Sequence, residues 1–597
     1  MHHLNKSGDS VFKLSKSFRE KVRPLHSNSI GQFGAGDQKA PMDQILQYLK
    51  NSEKVLKANQ FSDDEGNLLV HACIFYLFSY LEHQLFMQNV FTELDGYEYR
   101  LACSHDGSSL MEVFLLNATS FQLAVFFDRL TGKYETMAGH RYASHVLETI
   151  FEAAGKALST GNNGLKDSDA EEQGLLPLDA LVERAYQELK PSVISAIHDS
   201  YGSHVWRSLL KLFSILPDTF EKCTSDLATS LLEMDEGEGQ GFRDLAVNQH
   251  TAPFLQQLLQ VLVKHSDPAH FQAIITKMLH GLDLDSATGQ VSPKAKAFWK
   301  KLMEDDIGSH TAQAIIDLLS ATQVQSLYSH LIRGQAVGFL EHQRANYPMQ
   351  HLVAACKNVG QFTMILDEVM SFLPELISRR RFGIMVKFAE WAVQNQAGYE
   401  QVLAAAFKTF HLEKTSEDRV LLFSTALRLQ TKDQVNTSAP VNPQGCALLC
   451  QFARFPESQA KCLVDGLLRL SEQEILDLSR HAAGSRVIEA FLVGGAMSAK
   501  AMQRVGRHFK GHLAQIAMDK YGSHVVEKLW KLSPLANKNT MMEELAQNKE
   551  KLESSPHGRL VVRNCRLDQF IRKREDWVKE EQTQTTKRSL FDDIING

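Results

Sequence analysis

At 597 residues the chain exceeds what a single hydrophobic core can organise, and its 44 % hydrophobic and 22 % charged residues exclude disorder of the whole. Eight cysteines form no Cys-x-x-Cys pair and no His/Cys block of zinc-ligand spacing, and no stretch nears the roughly 18 apolar residues of a membrane span. The net charge of -6 counts against a polyanionic partner, but residues 161–240 hold 15 acidic against 6 basic side chains while residues 501–580 hold 16 basic against 10 acidic, so a locally basic face remains open.

The first forty residues carry no periodic pattern and no signal-peptide core, and are expected to be a flexible tail of a soluble, intracellular protein with reduced thiols. Self-similarity then organises the chain from residue 41 to 570. EGNLLVHACIF (65–75) and DGSSLMEVFLL (106–116) open a series that becomes clear at RYASHVLETIF (141–151) and SYGSHVWRSLL (200–210). Between those two lies a Gly/Asn/Asp-rich acidic stretch, 159–174, and a second follows at 233–241; both read as solvent loops inserted in the array. QHTAPFLQQLL (249–259) keeps mainly the apolar pattern, DIGSHTAQAII (306–316) is again clear, and YPMQHLVAACK, RFGIMVKFAEW and PQGCALLCQFA are degenerate, with a break near 431–445. AAGSRVIEAFL (482–492), KYGSHVVEKLW (520–530) and PHGRLVVRNCR (556–566) close the series, and residues 571–597 form a charged tail.

Steps of 38 and 36 residues from Ser485 through Ser523 to Arg559, and of 40 and 34 from Ser309 through Met349 to Gly383, suit units of two or three short helices. An all-α solenoid of about eleven or twelve repeats, C- or U-shaped, is the expected fold. Apolar residues at helical spacing, Val205, Leu209, Leu212 and Phe213 in one copy and Val525, Leu529 and Leu532 in another, define the buried face. A small residue, a His or Arg, and a polar residue three further on fall opposite it: Ser144/His145/Glu148, Ser203/His204/Arg207, Ser309/His310/Gln313, Ser485/Arg486/Glu489 and Ser523/His524/Glu527. A serine alone reads as an N-cap, but capping does not call for a flat group beside it in five copies. A flat side chain plus two polar groups suits a nucleobase, whose face wants a stacking partner and whose edge wants directed hydrogen bonds.

The signature Gly-Ser-His/Arg-Val-x-x-Glu/Gln at this period resembles pumilio-homology repeats, and GSRVIEAF at 484–491 with the acidic insertion makes the chain similar to the family of nucleolar protein nine. That resemblance covers roughly residues 60–570. It implies a nucleolar protein of small-subunit (18S) ribosome biogenesis that binds precursor ribosomal RNA, alongside pre-ribosomal proteins. No nucleophile elbow, phosphate-cradling glycine loop or zincin motif appears and the histidines lack a third ligand at useful spacing, so no catalysis, metal or cofactor is expected, and the protein is expected to be a monomer. The resemblance implies guanine readers in Ser144/Glu148, Ser485/Glu489 and Ser523/Glu527, a like pair in Ser108/Glu112 with Ser109 at the stacking place, and an adenine-type pair in Ser309/Gln313. Asn67/His71 and Ser203/Arg207 match no simple code. At Met349/Val353, Gly383/Lys387 and Gly445/Leu449 the polar readers are lost, so continuous readout is not expected there. Arg559 and Arg563 are expected to bind RNA, while the run SRRRFG and the stretch FIRKREDWVK read by default as solvated charge, with phosphate contact, or for the stretch nuclear targeting, as the functional alternatives. Cys446 and Cys450, one turn apart among apolar residues, read as core. A cytoplasmic pumilio-type messenger RNA repressor and a HEAT- or armadillo-like protein scaffold remain the competing readings.

Overall fold

The computed structural model describes residues 42–58, 83–160, 175–235, 241–286, 291–379, 381–413, 415–436 and 438–583. The N-terminal tail, the copy at 65–75 with Asn67 and His71, most of the acidic stretch 159–174 and the end of the chain lie outside them. Among the described residues every regular element is helical. They fall into two compact units, one taking residues up to 283 with 292–302 and 306–318, the other taking 284–291, 303–305 and 319 onward.

Each unit is a row of helices that correspond to the sequence copies. In the first they are α1 (His105–Leu115), α2 (Ala143–Ser159), α3 (Gly202–Ile215), α4 (Thr251–Lys264) and α5 (Gly308–Leu318), each packed on the next. In the second they are α6 (Asn346–Ala355), α7 (Gly383–Asn395), α8 (Pro443–Phe452), α9 (Gly484–Val493), α10 (Gly522–Leu532) and α11 (Pro556–Asn564), again in contact in chain order. Further helices between them pack behind the row. Val205, Leu209, Leu212 and Phe213 are buried as the spacing predicts, as are Val525 and Leu529. Each such side chain contributes about 1.5–3 kcal/mol relative to exposure. Leu532 departs from the expectation: it is the last residue of α10, the chain turns extended at Ser533, and its side chain stays 40 % exposed.

Two local devices set the rows. Ahead of an inner helix, one side chain accepts from the backbone N–H groups two and three residues on. His140 does so for Tyr142 and Ala143, Asp199 for Tyr201 and Gly202, Asn248 for His250 and Thr251, His342 for Arg344 and Ala345, Asn442 for Gln444 and Gly445, His481 for Ala483 and Gly484, and Asp519 for Tyr521 and Gly522. These are donors that the helix start would otherwise leave without partners. Behind the row, Glu188, Glu368 and Glu544 each accept two backbone N–H groups, from Gly132 and Tyr134, Gly334 and Ala336, and Gly511 and Leu513. The glycines there have φ of +80°, +82° and +86°, which a side chain would strain.

Of the expected charged tail, the described residues up to 583 are folded. A helix over 574–583 buries Trp577 and Glu581, and Glu581 accepts from Lys538 at 2.6 Å and pairs with Arg566.

Candidate nucleic-acid interface

The capping residue fixes the register of these inner helices, because in four of the five clear copies the serine lies four residues beyond it: His140 and Ser144, Asp199 and Ser203, His481 and Ser485, Asp519 and Ser523. From that serine the next residue is exposed and the one four along is half-buried, facing the same side. His145, His204, His310, Arg486 and His524 are all exposed, and Ser109 takes the same place on α1. Glu112, Glu148, Arg207, Gln313, Glu489 and Glu527 form the half-buried row beside them.

The serines themselves are not on that surface. Ser108, Ser144, Ser203, Ser309, Ser485 and Ser523 are all at most 3 % exposed. Ser108, Ser309 and Ser523 donate to the carbonyls of His105, Asp306 and Lys520 in their own first turn, and the Ser144 hydroxyl is buried without a partner. The cause is close packing of that first turn on the short helix before it. A Cβ on Gly202 would stand 2.5 Å from the Ala196 carbonyl oxygen, and one on Gly522 would stand 2.6 Å from that of Ile516. Only small residues fit there, and serine occupies the floor of the groove, with the ring and the polar side chain forming its walls.

Three degenerate copies change register. On α6 the capping His342 places Asn346, Tyr347 and Gln350 at the serine, ring and polar positions, three residues before the Met349/Val353 pair that sequence alignment selects. Met349 and Val353 are fully buried, whereas Tyr347 is 52 % exposed and the Gln350 amide donates to Asn346 Oδ1 at 3.2 Å. An aromatic ring and an amide therefore occupy the ring and polar positions of α6. On α8 the capping Asn442 moves the triplet to Cys446, Ala447 and Cys450, one residue beyond Gly445/Leu449. Burial pushes both thiols up, to about 12 and about 11, so they are protonated packing groups, as their spacing suggested. On α7 burial gives Phe382, Gly383 and Val386 in place of Gly383/Lys387, and Gly383 lies directly against the Gln350 amide. On α4 the triplet is Ala252, Pro253 and Gln256. On α7 and α8 these positions thus carry no charged or amide side chain.

Polar groups from consecutive helices meet along the row. Glu148 Oε1 is 3.1 Å from His145 Nδ1, and its other oxygen is 3.9 Å from His204 Nδ1 on the next helix. Arg207 sits 2.6 Å from that same His204 nitrogen. Desolvation, helped by Arg207 and opposed by Glu148, lowers the His204 pKa from its ordinary value and favours the neutral ring. Burial raises Glu112, and it raises Glu489 despite the nearby His524, Lys528 and Arg486. Glu527 accepts from Asn564 Nδ2 of α11 at 3.0 Å, a tether outside the triplets and not apparent from their spacing. Arg559 and Arg563 fall at the serine and polar positions of α11, both exposed, with Leu560 between them at the ring position. Of the basic runs, Arg379 pairs with Glu341 and Glu375, and Arg574 with Glu543, so neither run is simply solvated charge. No cluster of three potential metal-binding side chains exists among the described residues. Nor is any helix there long and apolar enough to cross a membrane.

Solved structures share this architecture. The complex of APUM23 with GGAUUUGACGG superposes with a TM-score of 0.71 at 18 % identity, covering 91 % of this chain and 99 % of that one. APUM23 lacking its insert region, with GGAAUUGACGG, gives 0.70 at 19 % identity, covering 90 % and 99 %. Among curated proteins, Nucleolar protein 9 of Komagataella phaffii is 27 % identical across 89 % of this chain and 85 % of its own length. Nucleolar protein 9 of Candida glabrata is 23 % identical across 95 % and 90 %. With residues 96–217 and 214–560 matching the model of the NOP9-like PUF repeat domain, the chain belongs to that family.

Proposed function

We propose that the rows of exposed rings and half-buried polar side chains bind single-stranded RNA, one base per intact triplet, and that the target is precursor ribosomal RNA of the small subunit in the nucleolus. The observation that carries this is the repetition on touching helices: each intact unit offers a flat face for stacking and a hydrogen-bonding group for a base edge. Glu148, Glu489 and Glu527 accept from the N1 and N2 donors of guanine, Gln313 and Gln350 offer an amide, and His145, His204, His310, Tyr347, Arg486 and His524 stack. Ser144, Ser203, Ser309, Ser485 and Ser523, with Ser108, reach a base edge only by turning from the groove floor, which costs about 1 kcal/mol where a hydroxyl leaves a backbone carbonyl. Arg559 and Arg563 meet phosphates at the end of the row. The nucleolar setting rests on the names of the relatives, and the RNA partner on the bound RNAs of the APUM23 structures.

The test is binding to a guanine-containing single strand, titrated with salt. Affinity should fall linearly in log–log form. Glu489→Ala and Glu527→Ala should each lose roughly 1–3 kcal/mol and the preference for guanine at one position. A wild-type protein without RNA affinity that retains a protein partner would establish the scaffold reading instead.

A further inference from the structure

Behind the row, where α9 and α10 end, the second unit opens a cleft of about 320 Å³. Met502, Leu529, Leu532 and Met541 give it an apolar floor, and the exposed Leu532 is the helix-face residue that finds no cover in the core. Arg507 and Lys510 stand on its rim, and the helix Ala499–Arg507 exposes Lys500 and Arg504 as well. The acidic lining residue, Glu544, has both carboxylate oxygens committed to the N–H groups of Gly511 and Leu513. The cleft therefore combines an apolar floor with a basic margin, and its complement is a short segment with apolar residues flanked by carboxylates.

The chain carries such a segment a few residues beyond the last described one. Residues 589–595 read SLFDDII, with Leu590, Phe591, Ile594 and Ile595 at the i, i+1, i+4, i+5 spacing of a single helical face and Asp592 and Asp593 between them. The last described residue is Thr583, two beyond Glu581, which is seated on Lys538 of the helix Leu535–Gln547. Asn537 and Met541 of that helix line the cleft. Five residues, 584–588, separate Thr583 from the segment, and extended they span about 17 Å, enough to pass a helix roughly 10 Å wide. We propose that residues 589–595 of the same chain seat in this cleft, apolar face on Met502, Leu532 and Met541, with Asp592 and Asp593 meeting Arg507 and Lys510. Seating would cover Leu532, which is 40 % exposed, and the half-buried Met502 beside it.

The experiment is photocrosslinking in the full-length chain with p-benzoyl-phenylalanine in place of Phe591, read by peptide mass mapping. The expected product joins position 591 to Met502 or Met541 within one molecule. Arg507→Glu with Lys510→Glu, both exposed and outside the core, should lower its yield roughly threefold to tenfold, and adding Asp592→Lys with Asp593→Lys should restore it. Crosslinks confined to other surfaces of the chain, crosslinks that join two copies at the cleft, or a crosslink that forms only to another protein in lysate would each overturn the proposal. So would a yield unmoved by the charge reversals.

Discussion

Tyr347→Ala against Met349→Ala separates the register given by the structure from the one that alignment of the copies selects. Tyr347 is 52 % exposed and Met349 fully buried, so the two truncations should act on different quantities. Removing the tyrosine ring deletes a stacking partner worth about 1–3 kcal/mol per base, a loss of roughly 5-fold to 150-fold in affinity, with little effect on stability. Removing the methionine side chain leaves a cavity in the core at about 2–5 kcal/mol, seen as a lowered melting temperature. Gln350→Ala should behave like the tyrosine change. Asn346 is a poorer probe, because its amide also donates to the carbonyls of His342 and Gln343 and its loss would disturb the helix start. The assay pairs fluorescence anisotropy on a single-stranded RNA selected by the wild type from a random pool with thermal melting of each variant. Full RNA affinity in Tyr347→Ala, or lost affinity at unchanged melting in Met349→Ala, would refute the register and with it the idea that capping residues locate the groove.

Two further outcomes follow from packing and charge. Gly522→Ala should destabilise by about 1–3 kcal/mol in thermal unfolding, since its Cβ would press on the carbonyl oxygen and Cγ2 of Ile516; an unchanged melting temperature would mean that this first turn is not tightly held. His265 is 7 % exposed, its Nε2–H donates to the Phe213 carbonyl, and burial lowers its pKa below 6.5, so the unfolded chain binds the proton more readily. Its contribution to stability is therefore present above pH 6.5 and lost as pH falls below it, and His265→Gln should show a smaller drop in melting temperature between pH 7 and pH 5 than the wild type.

What the sequence made legible follows from which interactions repeat. Period, helical content and the exposed rings stand out wherever Gly-Ser-His or Gly-Ser-Arg is intact, because tight packing of the first turn demands the small pair. On α6 that packing is met by Ala345 and Asn346, so the glycine signal vanishes and the apolar residues alone mislead the alignment by three positions. The capping side chain four residues before the triplet persists there as His342 and would have set the register, but it varies among His, Asp and Asn and carries no fixed letter. Burial of the serines was hidden for another reason. Helical periodicity reports the direction of a side chain around its own axis and not the neighbour that a first turn leans against, here the short helix carrying Ala196 or Ile516. The tether from Asn564 to Glu527 and the pairing of Glu581 with Lys538 join residues far apart in the chain, which no local pattern announces.

A net charge of -6 becomes compatible with an RNA partner once the groove is resolved into parts. The carboxylates among its walls are half-buried, and burial holds Glu112 and Glu489 toward the neutral form until a base supplies N–H donors. Their cost to a polyanion is thus local, and it is repaid only by a base edge that donates. Adenine offers one donor, N6–H, beside the N1 acceptor, and uracil one, N3–H, between two carbonyls, so either leaves one oxygen of a half-buried carboxylate facing an acceptor. On the proposed reading, rejection of the wrong base would contribute to the selectivity of these positions along with attraction of the right one. On the same reading the exposed cations at Arg486, Arg559 and Arg563, on α9 and α11 of the second unit, would supply the nonspecific share of affinity. Screening by salt acts on that share far more than on stacking or edge recognition. Raising the ionic strength should therefore weaken binding while sharpening the preference for guanine, a combination that a groove working only as a basic channel would not produce.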